Sequence, residues 1–155
     1  MREVILLRHA EALPTPVGKP DIERQLSPHG EAQARAAAVW LAAAGASPDC
    51  VLCSPALRTR QTAALALGAR ADITPQLEPV IYEATPAELI DLLDAHADAA
   101  CVMLVGHNPG LERLLALLTD GRSDEPRGLP SAAIARLAVT QLEPGGARLS
   151  AYWSP

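Results

Sequence analysis

Residues 4–9 read VILLRH, so that four apolar residues lead directly into an arginine and a histidine. Two later stretches, Val51–Cys53 and Val102–Val105, are apolar in the same continuous way. Continuously apolar runs of this length are typical of inner strands in a sheet that is covered on both faces. Further along the chain, the pattern predicts two more strands at Ala132–Val139 and Arg148–Trp153.

Helical segments alternate with these strands, and each predicted helix begins where a capping residue precedes a proline. The pairs are Ser27-Pro28, Ser54-Pro55, Thr85-Pro86 and Asn108-Pro109. Ser, Thr and Asn side chains cap helix N-termini, and proline is favoured at the first helical position. Glu88 completes a capping box with Thr85. The apolar spacing of Leu111, Leu114, Leu115 and Leu118 predicts a core-facing helix that ends near Asp120-Gly121.

This alternation predicts an α/β sandwich with a largely parallel sheet, and the 155 residues fit one domain over 1–155. Two stretches, Leu13–Pro20 and Asp120–Pro130, are predicted loops over one end of the sheet. Cys50 and Cys53 lie on a predicted strand, where positions three apart point to opposite faces, so neither a disulfide nor a zinc site is expected. We therefore expect buried, structural cysteines.

The charge and composition exclude several classes of function. Hydrophobic residues make up 49% of the chain, which is enough for a core, and the net charge of −5 is spread without a basic patch. Nucleic-acid binding is therefore not expected. The N-terminal apolar run is too short for a signal peptide or a membrane span, so we expect a cytoplasmic protein without membrane contact.

The candidate chemistry lies at the carboxyl ends of the predicted strands, where open parallel sheets place their sites. Arg8 and His9 follow the first strand, Arg58 follows Ser54-Pro55, and His107 follows Val102–Val105. Guanidinium groups bind phosphate oxygens, and a neutral imidazole can attack phosphorus to form a phosphohistidine that water then cleaves. No carboxylate cluster suggests a metal site, so the sequence predicts metal-independent phosphoryl chemistry.

Four motifs in this order resemble the histidine phosphatase superfamily, and within it the small branch of SixA-type phosphohistidine phosphatases. The motifs are Leu7-Arg8-His9-Ala10-Glu11-Ala12, Arg24-Gln25-Leu26-Ser27-Pro28-His29-Gly30, Ser54-Pro55-Ala56-Leu57-Arg58-Thr59-Arg60-Gln61-Thr62-Ala63 and Val105-Gly106-His107-Asn108-Pro109. The resemblance implies a phosphoglycerate mutase-like fold, that is, a single-domain three-layer αβα sandwich with a mostly parallel mixed sheet and no cofactor. It also implies that His9 is the nucleophile and that Arg8, Arg58 and His107 complete the phosphate pocket.

Three further residues are candidates, and two of them, Arg24 and Glu83, have an open alternative reading. Arg24 and Asn108 are candidate substrate-binding residues, although Arg24 fits a loop salt bridge equally well. Glu83, just before the Thr85 cap, is either a general acid for ester hydrolysis or a charge that is favourable near a helix N-terminus.

The resemblance leads to a specific functional expectation: a phosphatase with a covalent histidine intermediate that acts on a phosphohistidine-bearing partner protein. The alternative is a small-molecule phosphomonoesterase with the same mechanism and Glu83 as the acid. A non-catalytic phosphate-binding module is a third reading. The resemblance makes phosphoglycerate mutase activity improbable, because the mutases are much longer. We expect a monomer or a weak dimer.

Overall fold

The computed structural model describes residues 1–70 and 72–155, and its strands form a single six-stranded sheet. In chain order the strands are β1 Glu3–Arg8, β2 Cys50–Cys53, β3 Gln76–Leu77, β4 Cys101–Gly106, β5 Ile134–Val139 and β6 Ala147–Trp153. Their order across the sheet is β3-β2-β4-β1-β5-β6. The first four in this order are parallel, whereas β5 runs antiparallel to both β1 and β6. The prediction of a mostly parallel, mixed sheet is therefore confirmed.

Four α-helices cover the sheet: α1 Pro28–Ala43, α2 Leu57–Leu67, α3 Pro86–Asp94 and α4 Gly110–Asp120. Successive side chains of a strand point to opposite faces. Accordingly, Val4 and Leu6 of β1 pack with residues of α3 and α4, and Ile5 and Leu7 pack with residues of α1 and α2. Helices thus cover both faces of β1, which confirms the three-layer αβα sandwich and explains why this strand is continuously apolar.

Apart from shifts of one residue at strand ends, the strands differ from the predicted ones in two places. The strand predicted from Ala132 begins at Ile134, because Ala132 has a φ of 59°, which lies outside the extended region. The two-residue strand β3 was not predicted, since two residues carry no usable hydrophobic period. The opposite orientation of Cys50 and Cys53 is confirmed, because the two side chains pack into the core on different faces of the sheet.

Two of the four predicted helix starts are confirmed. The Ser27 hydroxyl accepts a hydrogen bond from the Gly30 amide at 2.9 Å, and Thr85 forms the capping box with Glu88. The leucine-striped helix α4 ends as predicted, with the left-handed Gly121 directly after it.

The other two predicted starts, at Ser54-Pro55 and Asn108-Pro109, are wrong. Helix α2 begins at Leu57 and α4 at Gly110, two or three residues beyond the predicted caps. The Ser54 hydroxyl lies 2.7 Å from a ring nitrogen of His107, and the Asn108 amide donates to the carbonyl of Leu129. Both side chains therefore serve tertiary contacts near the candidate site rather than cap a helix.

Within residues 1–70 and 72–155, no helix combines the length and the apolar character that a membrane crossing requires.

Candidate active site

The topology brings four of the predicted site residues together at the carboxyl edge of the sheet. Arg8 is the last residue of β1 and pairs in register with Gly106, the last residue of β4. His9 and His107 follow these strand ends, and the His9 amide donates to the Gly106 carbonyl at 3.0 Å. The two imidazole rings are 5.2 Å apart between centroids. Neighbouring parallel strands thus place both histidines side by side.

The hydrogen bonding of His9 fixes its tautomer. Its Nδ1 lies 2.7 Å from the carbonyl oxygen of Ala10, and a carbonyl only accepts, so Nδ1 carries the proton. Burial, together with the charges of Arg58 and Arg8, lowers the pKa of His9 from 6.5 to about 4, against the opposing effect of this hydrogen bond. At neutral pH the ring is therefore uncharged, and its Nε2 lone pair is free for nucleophilic attack.

His107 is held from two sides. Its Nε2 lies 2.7 Å from the Ser54 hydroxyl, and the Tyr82 ring meets it edge-on at a centroid distance of 5.4 Å. Burial, followed by the charge of Arg58, lowers the pKa of His107 to about 3. The second imidazole is consequently also neutral in the free protein, and an anion beside it would favour its protonation.

Arg58 is the second residue of α2, and its side chain is only 8% exposed. Its Nη1 donates to the backbone carbonyl of Asp21 and its Nη2 to the Asp21 carboxylate, both at 3.0 Å. Asp21 also accepts hydrogen bonds from Tyr82 and Arg24. Asp21 is not among the residues predicted from the sequence, although its position three residues before Arg24 offered a signal.

Arg8 and Asn108 meet at one backbone carbonyl. Arg8 Nη1 and Asn108 Nδ2 both donate to the Leu129 carbonyl, at 3.2 and 2.8 Å. Burial lowers the pKa of Arg8, and the charge of Glu112 opposes this effect. The loop predicted at Asp120–Pro130 therefore reaches the site through its Leu129 end.

Buried polar atoms without a hydrogen-bond partner concentrate in this region. Among the described residues there are five such atoms, and four belong to predicted site residues: Arg8 Nε, Arg58 Nε, His107 Nδ1 and Asn108 Oδ1. Buried donors in proteins are normally paired. Two guanidinium N–H groups and an imidazole that can be protonated form a donor set suited to the oxygens of a phosphate.

Arg24 has the loop contacts that one of its two readings predicts, and its role in substrate binding stays a prediction. It forms the loop salt bridge, with Nη1 3.3 Å from the Asp21 carboxylate and Nε donating to the Leu13 carbonyl. Its charge also contributes to the lowered pKa of His9, after the larger effects of burial, Arg58 and Arg8.

Glu83 lies beside the site rather than within the cluster of arginines and histidines. Its side chain is exposed and lines a cavity of about 320 Å³ that His107 and Asn108 also line. Arg113, one turn into α4, lies on the same cavity wall. The placement is compatible with contact to a leaving group that enters beside His107. The role of Glu83 as an acid stays a prediction.

No set of three His, Cys, Asp or Glu side chains in residues 1–70 and 72–155 is arranged to hold a metal ion. The polar groups of Arg8, Arg58 and His107 that lack a partner there are instead nitrogen atoms suited to an anion.

Comparison with known proteins identifies the family. The family model for the histidine phosphatase superfamily (branch 1) matches residues 4–85, which include Arg8, His9 and Arg58. The chain belongs to the histidine phosphatase superfamily. An uncharacterized protein of Mycobacterium tuberculosis is 33% identical over 161 aligned positions, which cover 96% of this chain and 99% of that protein. The predicted family is therefore confirmed.

Two solved structures are similar to this histidine phosphatase over nearly its whole length. A candidate phosphohistidine phosphatase SixA from Agrobacterium tumefaciens is 32% identical, with a TM-score of 0.85 and 99% of each chain covered. A candidate SixA from Nakamurella multipartitia is 30% identical, with a TM-score of 0.86 and coverage of 99% of this chain and 96% of that one. These similarities support phosphatase activity of the histidine phosphatase type.

The second motif of this histidine phosphatase has a packing role that its sequence does not reveal. Gly30 lies in the first turn of α1, and a Cβ atom there would overlap the backbone carbonyl oxygen of Glu11. The same carbonyl accepts the amide of Ser27 at 3.0 Å. Close approach of α1 to the segment after His9 therefore requires glycine at position 30.

Proposed function

We propose that this protein removes phosphate from a phosphohistidine on a partner protein, through a covalent intermediate on His9. The observation that carries the proposal is the neutral His9 ring, whose Nδ1–H is bound to the Ala10 carbonyl while Nε2 is left unprotonated. The guanidinium groups of Arg8 and Arg58, whose charges lower the pKa of this ring, supply the positive charge that would neutralise a bound phosphoryl group.

In the first step, the lone pair of His9 Nε2 attacks phosphorus, and the P–N bond to the substrate imidazole breaks. The substrate imidazole, which is protonated on its other ring nitrogen before the attack, takes the electron pair of that bond and departs as a neutral ring. The charge on the three equatorial oxygens is stabilised by Arg8, Arg58 and His107, which takes up a proton as the dianion binds. Fixed donors of this kind need no reorganisation during the reaction.

In the second step, water attacks the phosphorus of phospho-His9. The P–Nε2 bond breaks, its electron pair returns to His9, and one proton of the water passes to the solvent as hydrogen phosphate forms. The histidine thereby regains its starting tautomer, with Nδ1–H still donating to Ala10. Splitting one displacement into two lets the same set of cationic groups serve both.

Two features support a phosphohistidine substrate. A protonated imidazole leaves readily, so this reaction needs little help from an acid. The carboxylate that touches Arg58, Asp21, is unsuited to acid catalysis, because its hydrogen bond from Tyr82 and the charge of Arg58 hold its pKa at about 2. It stays ionised at every physiological pH.

A small phosphomonoester is the second candidate substrate, and the position of Glu83 favours it. An alkoxide leaving group needs a proton, and Glu83 lines the cavity of about 320 Å³ beside His107. In this version the mechanism on His9 is unchanged, and Glu83 protonates the departing oxygen.

The test compares a phosphotransfer domain phosphorylated on histidine with para-nitrophenyl phosphate, on one preparation of the enzyme. We expect faster hydrolysis of the phosphohistidine protein, loss of turnover in His9→Ala, and unchanged turnover in the matched control His29→Ala, whose side chain is exposed on α1. Glu83→Gln should leave phosphohistidine hydrolysis unchanged. Faster hydrolysis of the ester, abolished by Glu83→Gln, would instead establish the second candidate.

A trapping experiment tests the covalent step itself. Rapid quenching at alkaline pH with a ³²P-labelled substrate should leave an acid-labile label on the wild-type chain and none on His9→Ala. Turnover of His9→Ala above one per cent of the wild-type rate would contradict nucleophilic catalysis by this residue.

A further inference from the structure

Asp21 connects three separate parts of the candidate site. It lies in a short 3₁₀ turn, Asp21–Glu23, and contacts Arg58 at 37 positions and Tyr82 at 61 positions further along the chain. Arg24, in the same loop, donates to its second carboxylate oxygen. Each of these residues lies close to a histidine: Arg58 and Arg24 lower the pKa of His9, and the Tyr82 ring contacts His107.

The two bonds to Arg58 fix which edge of its guanidinium group remains available. Asp21 takes one N–H from each terminal nitrogen, through its backbone carbonyl and its carboxylate, both at 3.0 Å. The edge of the guanidinium group formed by its two terminal nitrogens is therefore occupied. The Nε–H side remains, and Arg58 Nε is buried without a partner among the described residues. A phosphate oxygen pair fits such a side edge bidentately.

We propose that Asp21 is a positioning residue: it holds the Arg58 guanidinium so that the Nε edge faces the phosphoryl group. Asp21 does not itself touch the phosphoryl group, since both it and phosphate are anions. The inference rests on the phosphate-binding role of Arg58 in the proposed function.

The physical basis is the flexibility of arginine. A free arginine side chain samples many rotamers, and ordering it at the moment of binding costs conformational entropy. The contacts with Asp21 order the side chain of Arg58 beforehand, and the 8% exposure of that side chain shows that it is already withdrawn from water. The Asp21 side chain, by contrast, is 46% exposed, so its loss should affect the stability of the fold much less than it affects phosphate binding.

Binding of inorganic phosphate, measured by calorimetry, tests the inference without requiring turnover. Asp21→Ala should weaken phosphate binding at least tenfold and shift the Tm by less than about 4 °C. The matched control is Asp72→Ala, which removes an exposed carboxylate that pairs with Arg70, and it should leave phosphate binding within twofold of wild type. Tighter binding by Asp21→Ala would show that Asp21 competes with phosphate, and equal binding would show that Asp21 does not contribute to the phosphate site. Either result would overturn the inference.

Two conservative variants separate the effect of the position of the Asp21 carboxylate from the effect of its charge. They also test the inference if Asp21→Ala does not fold. Asp21→Asn keeps an oxygen acceptor in place but removes the charge, so phosphate affinity should stay within about threefold of wild type. Asp21→Glu keeps the charge but moves it by one methylene, so affinity should fall at least fivefold. The reverse pattern would assign Asp21 an electrostatic role and contradict positioning.

A double-mutant cycle asks whether Asp21 acts through Arg58. In an Arg58→Ala background, Asp21→Ala should change phosphate binding less than twofold, because the group that it positions is absent. A further tenfold loss in that background would place the effect elsewhere. If wild-type protein binds phosphate with these dependences but hydrolyses neither phosphohistidine nor an ester, the proposed function fails while the positioning role of Asp21 stands.

Discussion

The lowered pKa values of His9 and His107 predict that the protein loses stability as the pH falls from 7 to 5. The unfolded chain protonates each histidine near pH 6.5, whereas the folded protein holds their pKa values at about 4 and about 3. Between these limits the unfolded state binds more protons, so the free energy of unfolding decreases as the pH falls. Each imidazole should account for a loss of about 2 kcal/mol between pH 7 and pH 5.

Urea denaturation at pH 7 and pH 5, in buffers without phosphate, measures this difference. His9→Gln and His107→Gln should each reduce the pH-dependent loss by about 2 kcal/mol, because each removes one titrating imidazole. His29→Gln, which changes an exposed histidine, is the control and should retain the full loss. A free energy of unfolding that stays constant over this range in wild type would refute the reasoning, as would His9 and His107 variants with the wild-type pH dependence.

Three further predictions concern individual contacts. Arg58→Ala should cost about 3 to 4 kcal/mol of transition-state stabilisation, seen as a fall in kcat on phosphohistidine substrate; a change below threefold would remove Arg58 from the site. Ser54→Ala removes the hydroxyl at 2.7 Å from His107 and should lower kcat about tenfold while the circular dichroism spectrum is retained; an unaltered kcat would mean that His107 is held by packing alone. Gly30→Ala should lower the free energy of unfolding by about 1 to 3 kcal/mol, because the added Cβ atom would overlap the backbone of Glu11. Gly128→Ala, where nothing lies within 4 Å of the added Cβ atom, is the control. Equal effects of the two substitutions would exclude the steric explanation.

The sequence predicts the strands and the order of the site residues because these depend on local rules. Side chains on both faces of the apolar strand at Val4–Leu7 must be covered by helices. A strand that is covered on both faces is an inner strand of the sheet, so this requirement alone predicts its position. The rule that parallel strands end at one edge then brings His9 and His107 together, 98 positions apart in the chain. The motifs of the histidine phosphatase superfamily add the roles that the pattern alone leaves open.

The helix starts show where tertiary contacts override the local capping rules. Ser54-Pro55 and Asn108-Pro109 have the same local chemistry as Ser27-Pro28, yet only the last begins a helix at its proline. A side chain that could cap a helix can instead form a hydrogen bond with any donor or acceptor that the fold brings near it. In the folded chain Ser54 meets His107, and Asn108 meets the Leu129 carbonyl.

Hydrophobic periodicity and proline placement thus determined the α/β architecture and the edge of the sheet at which the chemistry lies. They could not assign the partners of Arg58, because Asp21 is 37 positions away in a loop with no period, and a loop carboxylate has many arginines within its reach. The backbone conformation at Ala10, which brings its carbonyl to the ring, sets the tautomer of His9. The lowered pKa values of both histidines and the unpaired guanidinium edge arise from burial and from contacts among residues distant in sequence. The tertiary structure alone decides them, because the desolvation of a charge depends on everything packed around it.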